Sequence, residues 1–209
     1  ARNADAQRTV RGFGFESVKE LAGGRHRLGS RIVDQVEGGR DRVIYISTFS
    51  KIIGPGIRLG WMIANPSLLP RIAGYKQDGG KDYLSSIIVT KYLKEHMETR
   101  ILELNELLRR KRSAVVAALR ENFGPQLKVE EPSAGMFLWV EFPEGSDLFS
   151  IEQKVLDKGV HYLSGPHFSP KGEGENYVRF NFCNPATADL ADGINIFAEV
   201  VREEGVLTG

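Results

Sequence analysis

The stretch from Ser47 to Trp61, STFSKIIGPGIRLGW, constrains this chain more than any other. It sets hydroxyls, one lysine, a Gly-Pro-Gly turn and one arginine between the apolar runs Val43 to Ile46 and Leu59 to Ala64. Both runs are continuous, rich in β-branched residues and bounded by turn signals, so they read as short buried strands. Lys51 then falls just past a strand end, where α/β sheets usually place their chemistry.

A lysine among hydroxyls, with an arginine seven positions on across a tight turn, suits an aldehyde that also carries a phosphate. Desolvation by the neighbouring strands and the charge of Arg58 would favour the neutral amine, the form that attacks a carbonyl. Thr48 and Ser50 can donate to phosphate oxygens, and the planar fork of Arg58 can grip them bidentately. Gly54 and Gly56 allow the chain to turn sharply while Pro55 stiffens it. For any lone lysine, a surface position in a β-turn is the plainer alternative; the spaced set argues against it here.

At Thr48, Ser50, Lys51, Arg58, Gly60 and Trp61 the chain resembles the fold-type I pyridoxal-phosphate aminotransferases of class I/II, the branch that includes aminoadipate and kynurenine aminotransferases. The resemblance implies that Lys51 forms the Schiff base with pyridoxal 5'-phosphate, and that Thr48, Ser50 and Arg58 hold the cofactor. Lys51 would be the catalytic residue.

With 209 residues and 41% hydrophobic content, the chain can bury a real core. A net charge of +1 gives no global pull toward nucleic acid or an anionic membrane, so a small-molecule partner is expected. Cys183 is the only cysteine, which excludes an internal disulfide and a Cys-based zinc site. The chain shows neither a signal peptide nor an apolar run of about 18 residues, and is read as cytoplasmic.

Residues 1 to 40 are polar and rich in Arg and Gly. Gly12 to Phe15 and Ala22 to His26 lack the full glycine fingerprint of a phosphate loop and read as turns. Short helices are expected at Glu16 to Leu21 and Arg31 to Val36. Further on, Asn65-Pro66-Ser67 predicts the cap of a helix from Leu68 to about Gln77. From Asp82 a long helix follows, with Met97, Ile101, Leu104, Leu108, Val115 and Leu119 on one face. Its basic cluster Arg109-Arg110-Lys111-Arg112 could bind nucleic acid, but no aromatics interleave and Glu103 and Glu106 lie one turn before. A solvated, salt-bridged face is expected instead.

Beyond Phe123-Gly124-Pro125 the pattern changes. Leu127 to Val129, Met136 to Phe142 and Val160 to Leu163 read as strands, Leu148 to Lys158 as an amphipathic helix, and Ala188 to Glu203 as the closing helix. The run Ser133 to Trp139 is similar to a Gly-Gly-Met-Phe-Leu-Trp segment of the same family and reads as core strand. In Tyr177 to Cys183, period two sets Val178, Phe180 and Phe182 on one face and Tyr177, Arg179 and Asn181 on the other. A guanidinium in an apolar strand needs an anion, supplied by a protein carboxylate or by a ligand. The residues alone do not choose. By resemblance, Arg179 is substrate-binding and clamps the α-carboxylate of an amino acid. Tyr177, Asn181 and Ser164 are expected near the substrate. His161 and His167 lack metal-ligand spacing and are read as structural, and no metal site is expected.

The fold class implied is α/β: the C-terminal part of a fold-type I transferase, with the remainder of the large-domain sheet, a long bridging helix and an α+β small domain. The domains expected are residues 1–95, the rest of the cofactor-bearing domain, and 96–209, the bridging helix and small domain. The family pattern also includes an Asp-x-x-Tyr pair that is not found upstream of Lys51, so the match, over roughly residues 42–205, resembles the C-terminal half of such an enzyme. The implied reaction is transfer of an amino group from an L-amino acid to a 2-oxo acid, by a longer parent that is normally a homodimer. Alternatives are an aminotransferase-like effector domain of a transcription regulator and a non-catalytic folding or dimerisation fragment.

Overall fold

The computed structural model describes residues 43–75, 82–129 and 131–207, so the turns and helices expected before residue 41 lie outside the described residues. Packing divides the chain into two compact units, residues up to Glu103 and residues from Leu104 onward. Helices alternate with antiparallel sheets, which agrees with the α/β organisation expected.

In the first unit, strands β1 (Tyr45–Thr48) and β2 (Gly60–Ile63) pair antiparallel, with Tyr45 opposite Ile63 and Thr48 opposite Gly60. Tyr45 packs on buried Trp61 with ring centroids 5.4 Å apart. The buried run expected at Val43 to Ile46 is corrected, since Ile44 is 43% and Ile46 71% exposed. Only two strands form this sheet among the described residues, so alternation leaves one face of β1 uncovered.

Helix α1 (Leu69–Gly74) is shorter than expected, and Asn65 does not cap it. The Asn65 Oδ1 instead accepts the Ser67 N–H at 2.9 Å, a side-chain turn one step upstream. Helix α2 (Tyr83–Phe123) does start at the aspartate, because Asp82 Oδ1 accepts the Ser85 N–H at 2.9 Å. It runs on through the boundary between the units until Gly124 takes φ 69°.

The second unit is a four-stranded sheet in the order β3-β4-β6-β5, all antiparallel, with β3 at Lys128–Val129, β4 at Phe137–Glu141, β5 at Leu163–Ser164 and β6 at Tyr177–Asn181. Leu138, Val140, Val178 and Phe180 turn one face inward. The end of α2 and helix α4 (Thr187–Glu204) cover it, joining Val115, Leu119, Ile194, Phe197 and Val201 in one core. Helix α3 (Glu152–Asp157) starts four residues later than expected, because Asp147 Oδ1 takes the Ser150 N–H at 3.0 Å in a turn of its own. The strand expected over Val160 to Leu163 reduces to the two residues of β5.

The basic cluster of α2 splits in two. Arg109 pairs with Glu106 at 2.8 Å and stays in solvent as expected. Lys111 is instead buried, 7% exposed, and donates to the Cys183 and Pro185 carbonyls at 2.7 and 2.6 Å. Arg112 donates to the Pro132 carbonyl at 2.6 Å. These two cations hold loops that follow β6 and precede β4, at long range in sequence.

Candidate active site

The hairpin of β1, β2 and their connection carries four of the five expected site residues, Thr48 at the end of β1 and Ser50, Lys51 and Arg58 in the connection. Phe49 and Ile52 bury their side chains on either side of the exposed Lys51, so the loop is anchored at 49 and 52 and presents 51 outward. The Phe49 N–H donates to the Leu59 carbonyl at 3.0 Å, and its own carbonyl accepts from Ile52 and Ile53 at 3.0 and 2.9 Å. The Arg100 side chain of α2 donates to the Ile52 carbonyl at 3.3 Å.

The hydroxyls are ordered as a pair. Thr48 gives its one proton to the Leu59 carbonyl at 3.1 Å, so its oxygen accepts the Ser50 N–H at 3.1 Å and the Ser50 hydroxyl at 2.9 Å. Arg58 follows the short 3₁₀ turn Pro55–Ile57 and is the only non-glycine among the described residues with positive φ, at 49°. A left-handed arginine costs about 1–2 kcal/mol, and such strain is concentrated at functional positions. Its guanidinium makes one long bond, to the Pro55 carbonyl at 3.5 Å, and is otherwise free to meet an anion.

The desolvation expected for Lys51 is corrected: the side chain is exposed, because the described residues of this unit offer no wall above it. Its amine has no hydrogen bond or ion pair among the described residues. A free primary amine, two oriented hydroxyls and an unneutralised guanidinium within one loop fit an aldehyde that bears a phosphate.

Arg179 lies in the second unit, on the outward face of β6 opposite Trp139 of β4. Among the described residues it makes no ion pair, so a protein carboxylate does not explain it. Its Cζ instead sits over the rings of Phe137 and Phe168, 4.3 and 4.6 Å from their centroids. Trp139 meets Phe168 edge-on at 5.4 Å and stacks on Tyr177 at 5.7 Å. Phe137 and Trp139, 40% and 42% exposed, are therefore not the core strand expected of them. Sequence reasoning missed them as neighbours of Arg179, although period two already sets both on one face of β4. Phe168 had no such signal, because it comes from the 3₁₀ turn Gly165–Phe168.

The other polar residues named from the sequence behave differently. Ser164 is fully buried, Asn181 Oδ1 is occupied by the Cys183 N–H at 2.9 Å, and Tyr177 stacks on Trp139, the residue opposite Arg179. His167 does have an acidic partner, Glu152, at 2.8 Å. Burial pushes the Glu152 carboxyl up, but bonds from His167 and Ser164 outweigh it and hold the group below the usual glutamate range. Burial, with the charges of Glu152 and Asp147, pushes the Tyr162 phenol far up, so it stays a neutral donor to the Leu148 carbonyl. Among the described residues no cluster of His, Cys, Asp and Glu could hold a metal ion, and no helix is long and apolar enough to cross a membrane.

The model of the family "Aminotransferase class I and II" matches residues 11–196. The chain belongs to that family. Aromatic-amino-acid aminotransferase 1 of Thermococcus litoralis is 34% identical over 166 residues, which cover 78% of this chain and 40% of that protein. The crystal structure of LysN, the α-aminoadipate aminotransferase of Thermus thermophilus, complexed with N-(5'-phosphopyridoxyl)-L-leucine, superposes with a TM-score of 0.72 at 27% identity, over 79% of this chain and 43% of that one. The HTH-type transcriptional regulator NorG of Staphylococcus aureus is 32% identical over 144 residues, 68% of this chain and 32% of the regulator. This class I and II chain thus spans less than half the length of the relatives it matches.

Proposed function

We propose that this chain is the C-terminal part of a pyridoxal-phosphate-dependent aminotransferase that moves an amino group from an L-amino acid to a 2-oxo acid. Residues up to about 95 would belong to the cofactor-bearing domain, and residues 96–209 to the bridging helix and small domain. The full-length protein would act in the cytoplasm, as a homodimer. The observation that carries the reading is the β1–β2 hairpin, where an exposed Lys51 with no partner among the described residues follows the hydroxyl pair of Thr48 and Ser50 and precedes a left-handed Arg58 that makes no ion pair among them.

Pyridoxal 5'-phosphate, when bound, supplies an aldehyde that takes up amino groups and a ring that accepts the electrons left when a Cα–H bond breaks. On binding, Thr48 and Ser50 would turn their hydroxyl protons from the Leu59 carbonyl and from Thr48 Oγ1 toward the phosphate, and Arg58 would add a two-pronged cation. Lys51 Nζ accepts the proton from the substrate Cα and returns a proton as the same group in acid form. Arg179 pairs with the substrate carboxylate through two parallel N–H bonds, which anchors the amino acid in the site.

Borohydride reduction of the full-length protein with pyridoxal phosphate, followed by peptide mass mapping, should place the adduct on Lys51. K51A should leave no adduct and remove 2-oxo-acid-dependent amino transfer. An unmodified Lys51 in wild-type protein overturns the reading. The likeness to NorG supports a second one, an aminotransferase-like domain within a regulator. That reading predicts a gel shift on the protein's own promoter region and no amino transfer.

A further inference from the structure

Glu152, the first residue of α3, holds both ends of the turn that carries Phe168. One carboxylate oxygen, Oε1, accepts the Ser164 N–H at 2.7 Å, just before the turn. The other, Oε2, meets His167 Nε2 at 2.8 Å, next to Phe168 itself. Gly165 closes the turn against a second loop: a Cβ there would come 2.1 Å from the Gly174 carbonyl oxygen, so only glycine lets the two backbones approach this closely. The Glu152 side chain is only 21% exposed, and a half-desolvated carboxylate is stable where its oxygens are both engaged.

What the turn delivers is the ring of Phe168, 4.6 Å from Arg179 Cζ. The Arg179 guanidinium has no hydrogen-bond partner among the described residues, so the rings of Phe137 and Phe168 set its plane. Phe137 is fixed by its strand, opposite Asn181 in the β4–β6 ladder. Phe168 has no ladder and depends on the turn.

We propose that Glu152 and His167 are positioning residues for carboxylate recognition: by clamping the Gly165–Phe168 turn they hold Phe168 against Arg179 and so present the guanidinium edge-on to an incoming carboxylate. This rests on the reading of Arg179 as the substrate-binding arginine. The effect acts on binding and not on the proton transfer assigned to Lys51, so it appears in KM and leaves kcat unchanged.

The test uses the full-length protein loaded with pyridoxal phosphate and 3-phenylpropionate as probe, a carboxylate with no amine to react. Calorimetric titration of wild type, R179K, F168A, E152A, H167A and H167Q gives each Kd, and thermal melting confirms folding. R179K should bind the probe more than tenfold more weakly. E152A, H167A and F168A should each weaken it about three- to tenfold and raise KM for the amino acid by the same factor at constant kcat. H167Q, which keeps a donor for Glu152, should stay within about twofold of wild type. E152A combined with H167A should be no weaker than E152A alone, since E152A already removes the one contact that H167A removes. Unchanged Kd in folded H167A, with R179K impaired, overturns the clamp and leaves the Arg179 assignment standing. Unchanged Kd in R179K overturns that assignment and the clamp with it. His167 is on the surface, so H167A keeps the test available if E152A does not fold.

Discussion

Arg58 and Lys111 are both cations whose surroundings decide what they contribute, and the two come apart. Arg58 holds a left-handed backbone while its side chain does little for the fold, so the strain at φ 49° is offset by nothing in the described residues. R58G should therefore be as stable as wild type or up to about 1 kcal/mol more stable by urea unfolding. The same protein should bind pyridoxal phosphate at least tenfold more weakly, as read by absorbance titration. A matched loss of stability and affinity would mean that Arg58 is structural. Lys111 is the reverse case, a buried ammonium satisfied by the Cys183 and Pro185 carbonyls. K111M leaves both carbonyls without that donor and should cost about 2–4 kcal/mol of unfolding free energy. R109A, which removes only a solvent-exposed pair, should leave the urea midpoint unmoved.

At the scale of elements, two glycines give opposite expectations. Gly193 lies inside α4, where a Cβ would meet Val160 Cγ2 at 3.9 Å, an ordinary contact. G193A should raise stability by about 0.5–1 kcal/mol, because alanine is ordered into a helix at lower entropic cost. G165A should lower it by about 1–3 kcal/mol, since its methyl meets the Gly174 backbone rather than a side chain that can yield. Thermal melts of the two variants, moving in opposite directions, check both. The elements that could be read from the sequence were those whose signal is local: the hairpin around Lys51, α2 from Asp82 to Gly124, and the alternation that buries Val178 and Phe180. Thr48, Ser50, Lys51 and Arg58 come together because one hairpin carries them all. The surroundings of Arg179 were not legible, because strand register brings Phe137 and a turn brings Phe168, from 42 and 11 residues away in sequence. The burial of Lys111 was hidden for the same reason, since a partner such as the Cys183 carbonyl leaves no periodic trace beside it, whereas the late start of α3 has a local cause in the Asp147–Ser150 turn.

The molecule as a whole carries its apolar burial unevenly. Among the described residues, the first unit buries Phe49, Ile52, Trp61, Ala64, Val89 and Leu93, and it leaves Ile46, Leu84 and Ile88 exposed at 71%, 69% and 55%. The second unit has a continuous core from Val115 to Val201 that includes Phe142, Phe182 and Phe197, each at most 1% exposed. Each large apolar side chain fully buried contributes about 1.5–3 kcal/mol, so among the described residues the second unit holds the greater reserve. The two tryptophans report the units separately: Trp61 is in the first, and Trp139, stacked on Tyr177, is in the second. In urea, W139F in this 209-residue chain leaves Trp61 as its one tryptophan and should show an early, shallow fluorescence transition. W61F leaves Trp139 and should show a later, steeper one, because the slope follows the surface exposed. Pyridoxal phosphate added to the full-length protein should move the Trp61 transition to higher urea and leave that of Trp139 in place, since Lys51, Thr48, Ser50 and Arg58 all belong to the first unit. Coincident transitions in the two variants, with and without the cofactor, would show one cooperative body and sink this account of where its stability lies.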